Sequence, residues 1–132
     1  MTIGLTDTIR TARIAQIAST IGATPVLKFY TGSMPAVGAA ATGTLVGSYS
    51  LPSTWLSAGA AGVQSKAGTW SGALSTGGDI GYFRIEKSGD NTVYIQGTAG
   101  TSGTDMIIDN DVITAGQVVT VTAFTLTDGN AT

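Results

Sequence analysis

The sequence predicts a mainly β fold: a β-sandwich, with a jelly roll as one form of it, carrying one N-terminal α-helix. Three observations lead there. Charged residues make up 11% of the chain, against about 25% in an average soluble domain. Glycine is abundant, at 19 of 132 residues, and marks many turns. Past residue 22 the apolar period changes from that of a helix to the two-residue alternation of strands. The length suits one domain with one core, read here as 1–132 with a helix over 6–22 and the sandwich over 24–127.

The helix rests on Ile14, Ile17, Ala18 and Ile21, which follow i, i+3, i+4, i+7 spacing. Ile9 extends the stripe by a turn, and Arg10 and Arg13 fall on the wetter flank. Thr6 is a fitting N-cap, Asp7 suits the positive helix end, and Gly22 suits the C′ position. Pro25 forbids continuation.

Strands follow in order. Val26–Thr31 alternates, with Leu27 and Phe29 on one face and Lys28 and Tyr30 on the other. A low-complexity loop, VGAAATGT, leads to a strand over Thr44–Leu51 that Pro52 ends. Short strands are expected around Val63 and Trp70. The segment from Gly81 to Gly97 reads as a hairpin about a turn at Ser88–Asn91. Phe83, Ile85, Val93 and Ile95 form its apolar face; Tyr82, Arg84, Glu86, Tyr94 and Gln96 form its wet face. A flexible loop over 97–104 precedes a short strand at Met106–Ile108. In Gln117–Thr127 the apolar parity shifts: Val119, Val121 and Ala123 share a face, and Phe124 and Leu126 take the other. That shift predicts a bulge near Ala123 or cover on both faces. Residues 128–132 are a frayed polar end.

The same residues narrow the function classes. Net charge is −2 and the six cations are scattered, so the basic footprint of nucleic-acid binding is missing. No apolar run reaches the roughly 18 residues that a membrane helix needs, and the opening MTIGLTDTIR lacks the pattern of a signal peptide. The chain has no cysteine and no histidine. That removes Ser-His and Cys-His nucleophile activation, thiolate and imidazole zinc sites, and most near-neutral general bases.

What remains for chemistry is thin. Asp105, Asp109 and Asp111 stand within DMIIDNDVI. The spacing lacks the Gly and Glu of an EF-hand loop, so the three are read as turn residues rather than calcium ligands. Glu86, the single glutamate, offers half of a glycosidase pair at most and reads as a solvated strand residue. Ser65-Lys66 and Lys87-Ser88 point to opposite strand faces. The run GTAGTSGT lacks phosphate-loop spacing. Trp55, Trp70, Tyr82 and Tyr94 raise a carbohydrate-binding reading, against which stands the need for large residues in the core. No catalytic, cofactor or metal residue is assigned, and no cofactor is expected.

The order of segments LTDTIRTARI, LKFYTGSMPA, GTLVGSYSL, GTWSG, GYFRI, IQGT and GTDMIIDNDVITAGQVVTVTAFTLTDGNA resembles small structural proteins of tailed bacteriophages. The resemblance spans nearly the whole chain and is most like capsid decoration (cement) proteins. It implies a non-enzymatic virion component that binds the major capsid protein and stabilises the shell, with a trimer or dimer of its own. Alternatives are a neck, tail or baseplate protein and, in another class, a carbohydrate-binding β-sandwich module. Neither nucleic acid nor membrane is expected as a partner. The expected contact elements are the helix and the loops 34–43 and 97–104.

Overall fold

The structure, a computed structural model, describes residues 3–128. Residues 129–132 of the expected polar end lie outside the described residues. One helix, α1 (Asp7–Ile21), precedes nine strands: β1 (Val26–Thr31), β2 (Leu45–Ser50), β3 (Val63–Ser65), β4 (Ser71–Leu74), β5 (Gly78–Glu86), β6 (Val93–Gly100), β7 (Met106–Ile108), β8 (Val112–Ile113) and β9 (Gln117–Thr127). The fold is mainly β, as the composition predicts.

Helix α1 begins where the sequence places it. The Thr6 hydroxyl accepts from Ile9 N at 3.4 Å, and Gly22, at φ 84°, donates its N–H to Ala18 O at 2.9 Å. Ile14 and Ile21 are buried. Two expectations fail here. Ile9 is exposed at 49%, and Arg10 is buried at 6%. The stripe starts one turn later because the helix's first turn rests on the end of β9, where Arg10 Nη2 donates to Asp128 O at 3.0 Å.

The strands run in the order β2-β1-β5-β6-β7-β9-β3, with β4 also on β9 and β8 on β5. Every pairing is antiparallel except β6 with β7. The two layers of the sandwich belong to one curled, half-barrel sheet, in place of the two separate sheets of a jelly roll. Its curl brings β2 against β4 through glycines. A Cβ on Gly47 would lie 2.7 Å from Leu74 Cα, and one on Gly72 would lie 2.5 Å from the Tyr49 ring. Tyr49 Oη donates across the seam toward Val119 O at 3.2 Å.

The expected bulge in β9 is present. Ile107 pairs with Ala123 and Ile108 with Val121, which leaves Thr122 as the extra residue. The parity change therefore keeps Val121 and Phe124 on the same core and turns Ala123 outward, where it is exposed. The extra residue resets the alternation.

The core runs from Ile21 to Phe124. Trp55 and Trp70 lie inside it, at 2% and 0% exposure. They form an aromatic chain with Phe124 and Phe83: Trp55–Trp70 6.1 Å, Trp70–Phe124 5.3 Å, Phe83–Phe124 5.7 Å between centroids. Each indole N–H has a carbonyl partner at 3.0 Å, Gly22 O for Trp55 and Ala67 O for Trp70, as burial of a Trp demands.

Two further features differ from the sequence reading. Strand β6 continues to Gly100, so Gly97, Ala99 and Gly100 are buried and the expected loop over 97–104 shrinks to its last residues. Glycine read as loop here serves close packing instead: a Cβ on Gly97 would meet Phe83 at 2.8 Å. The hairpin's expected wet face is also largely covered. Tyr82, Arg84 and Glu86 are buried, while Tyr94 stays 40% exposed. The segment between β1 and β2 covers this face.

Candidate interaction surface

Between β1 and β2 the chain leaves the sheet, lies across its outer face and returns. The base of this loop is closed by Thr31 N to Thr44 O at 3.0 Å and Thr44 N to Thr31 Oγ1 at 2.9 Å. Gly32 (φ 82°) and Gly43 (φ 74°) make the two reversals, in a conformation that other residues rarely adopt. The result is a compact loop over 32–43 with its ends together.

Three side chains of the sheet hold the loop from below. Tyr82 Oη donates to Thr42 O at 2.6 Å and accepts from Thr42 N at 2.9 Å. Arg84 Nη2 donates to Ala39 O at 2.8 Å, and Arg84 Nε to Gln96 Oε1 at 2.7 Å. Gln96 Nε2 in turn donates to Pro35 O. The loop's carbonyls thus replace water over a polar face. That satisfies the buried guanidinium and orders the loop in one step.

The rest of that face is equally engaged. Tyr30 stacks on Tyr82, with centroids 5.1 Å apart and planes 10° apart. Burial pushes the Tyr30 phenol above its ordinary pKa. Lys28 Nζ lies 3.0 Å from Glu86 Oε1. Glu86 is therefore a buried strand residue in an ion pair, and its sequence-based reading as solvated is corrected.

The loop's outer side is apolar and small. Met34 and Val37 are 42% and 56% exposed, and Leu45 at the return is 39% exposed. Ala36 and Ala39–Ala41 are exposed with them. No charged residue occurs from Phe29 to Ser65, so no charge lies on the loop or on β2. That charge gap was readable in the sequence and flags the surface. Arg84 and Gln96 were not readable as its supports, because strand alternation cannot say what covers a face.

The other residues weighed from the sequence lie elsewhere. Asp105 Oδ2 accepts from Thr98 N at 2.9 Å and from Thr98 Oγ1 at 3.0 Å. Asp109 Oδ1 accepts from Thr120 N at 3.0 Å, and Asn110 Oδ1 from Val112 N at 3.1 Å. Asp105, Asp109 and Asn110 thus pin strand ends, as the turn reading expects; Asp111 gives its backbone carbonyl to Ile80 N at 2.8 Å. Lys66 Nζ turns to Gly68 O at 3.0 Å, while Ser65 Oγ sits 3.4 Å from Thr125 Oγ1, so this pair is not a dyad. Burial of Trp55 and Trp70 withdraws them as sugar platforms. No described helix is long and apolar enough to cross a membrane.

Compared with protein-family models, with curated proteins and with solved structures, the chain matches none.

Proposed function

We propose that this chain is a non-enzymatic structural protein of a bacteriophage virion, a decoration or cement protein that binds the major capsid protein and reinforces the shell. The observation that carries the reading is the charge-free loop 32–43, held in one conformation by Tyr82, Arg84 and Gln96. A loop ordered before contact loses little conformational entropy on docking. A surface without charge needs no counter-charge in the interface and suffers no ionic desolvation. Met34 and Val37 supply apolar area at its centre.

The test is binding of the purified chain to assembled capsids that lack it. Co-sedimentation and a higher melting temperature of the shell are expected. Met34→Asp and Val37→Asp should each remove binding while leaving the chain's own melting temperature in place, because both side chains are exposed. Absence of binding to any capsid defeats the proposal. Recovery of the chain with tails instead of heads moves the same surface to a neck, tail or baseplate role.

A further inference from the structure

Helix α1 lies outside the sheet and reaches β1 through four residues, 22–25. That link is strained. Gly22, at φ 84°, adopts a conformation open to glycine, but Thr24 has φ 48°. Threonine is β-branched, and a positive φ is a true outlier for it. Pro25 follows at once and stiffens the exit. Straightening this segment would relieve Thr24.

The helix's seat is polar at one end and apolar at the other, where Ile21 is buried in the core and Trp55 Nε1 donates to Gly22 O at 3.0 Å. At its start, Arg10 Nη2 donates to Asp128 O at 3.0 Å, Arg13 Nη2 to Asp128 Oδ1 at 2.6 Å, and the Thr11 hydroxyl accepts from Gly62 N at 3.1 Å. At its end, shallow grooves of roughly 280 and 300 Å³ flank it, one beside Ile17 and Tyr94, the other beside Ala18 and Trp55. The groups that receive α1 all lie on the body of the domain. A second copy offers the same groups in the same arrangement.

We propose that α1 is an exchangeable arm, and that its partner is a second copy of this chain, whose own α1 takes the equivalent seat. Exchange keeps every contact of the helix and releases the strain at Thr24; short, strained hinges are the setting in which swapping occurs. Reciprocal exchange closes a dimer, and head-to-tail exchange closes a ring such as a trimer. The inference stands on the hinge and the seat, independently of what loop 32–43 binds.

The chain has no cysteine, so an added disulfide reports cleanly. A Cβ on Gly59 would lie 3.1 Å from Thr11 Cγ2, within reach of a bridge. The experiment reads the unsubstituted full chain at high concentration by size-exclusion chromatography with light scattering, and then the chain carrying Thr11→Cys with Gly59→Cys, held reduced, in the same way. An oligomer of two or three times the monomer mass is expected. Oxidising that oligomer should join its chains covalently on a non-reducing gel, and oxidising the monomer first should block its formation. An oligomer that yields only monomer-sized chains on oxidation overturns the proposal, as does a chain that stays monomeric. Thr24→Gly, without staples, should lower the oligomer fraction severalfold; an unchanged fraction counts against the strained hinge.

Discussion

Arg84 Nη2 sits 2.8 Å from Ala39 O, forty-five residues back in sequence, and joins the middle strands of the sheet to the crest of loop 32–43. Arg84 is 4% exposed, so its bonds to Ala39 and Gln96 are made out of water. Arg84→Met keeps the length and removes both. The change should cost about 2–4 kcal/mol, since two oxygens lose a charged donor. Amide exchange within residues 36–42 should accelerate markedly more than in the sheet. Loop protection that stays unchanged in the variant would show that Arg84 does not order the loop.

The seam between β2 and β4 depends on missing side chains. Gly72→Ala places a methyl against the Tyr49 ring, and Gly47→Ala places one against the backbone of Leu74. Each should destabilise by about 1–3 kcal/mol or more, the range for overpacking where neighbours cannot yield. Pairing Gly72→Ala with Tyr49→Ala should recover part of the loss. Denaturant melts of the single and double variants measure this.

Trp70→Ala should cost about 3–5 kcal/mol, because the indole is fully buried and contacts Trp55 and Phe124. Thermal unfolding is the measurement. A variant that keeps wild-type stability would contradict the core role of Trp70.

Tyr49 lies inside the seam, and burial, with Asp109 nearby as a lesser cause, pushes its phenol well above the ordinary value. Tyr30 is raised too, mainly by burial. Above about pH 10 the unfolded chain gives up these protons while the folded chain holds them. The unfolded state then binds fewer protons, so stability is intact below that pH and falls as pH rises. Tyr49→Phe should flatten the fall between about pH 10 and 12 relative to wild type, read from urea midpoints across that range.

Asp105 caps the join between β6 and β7 by accepting from Thr98 N and Oγ1. Asp105→Ala should lower stability by about 1–3 kcal/mol. Treatment with EDTA should leave the melting temperature in place, since the carboxylate is engaged by the protein's own donors. A drop on chelation would make the three aspartates metal ligands after all.

Much of this architecture is legible in the chain. Thr6, Gly22 and Pro25 bound the helix, Val26–Thr31 reads as a strand to the residue, and the parity change before Phe124 announces the bulge at Thr122. The candidate surface is only half legible. The lack of charge from Phe29 to Ser65 is visible, but its supports are not. Arg84 and Gln96 look like wet-face residues of any amphipathic hairpin, and Arg10 looks like a solvated helix residue.

The division has a physical cause. Caps, turns and alternation are set by steric and hydrogen-bonding preferences of residues near one another in sequence, and the chain by itself determined those: a mainly β domain led by one helix, without histidine or cysteine. Whether a polar side chain meets water or another segment depends on distant backbone that arrives only with the tertiary fold. That fold decided that loop 32–43 covers Tyr82 and Arg84, that the last strand receives Arg10, and that Gly47 and Gly72 close the curled sheet on itself.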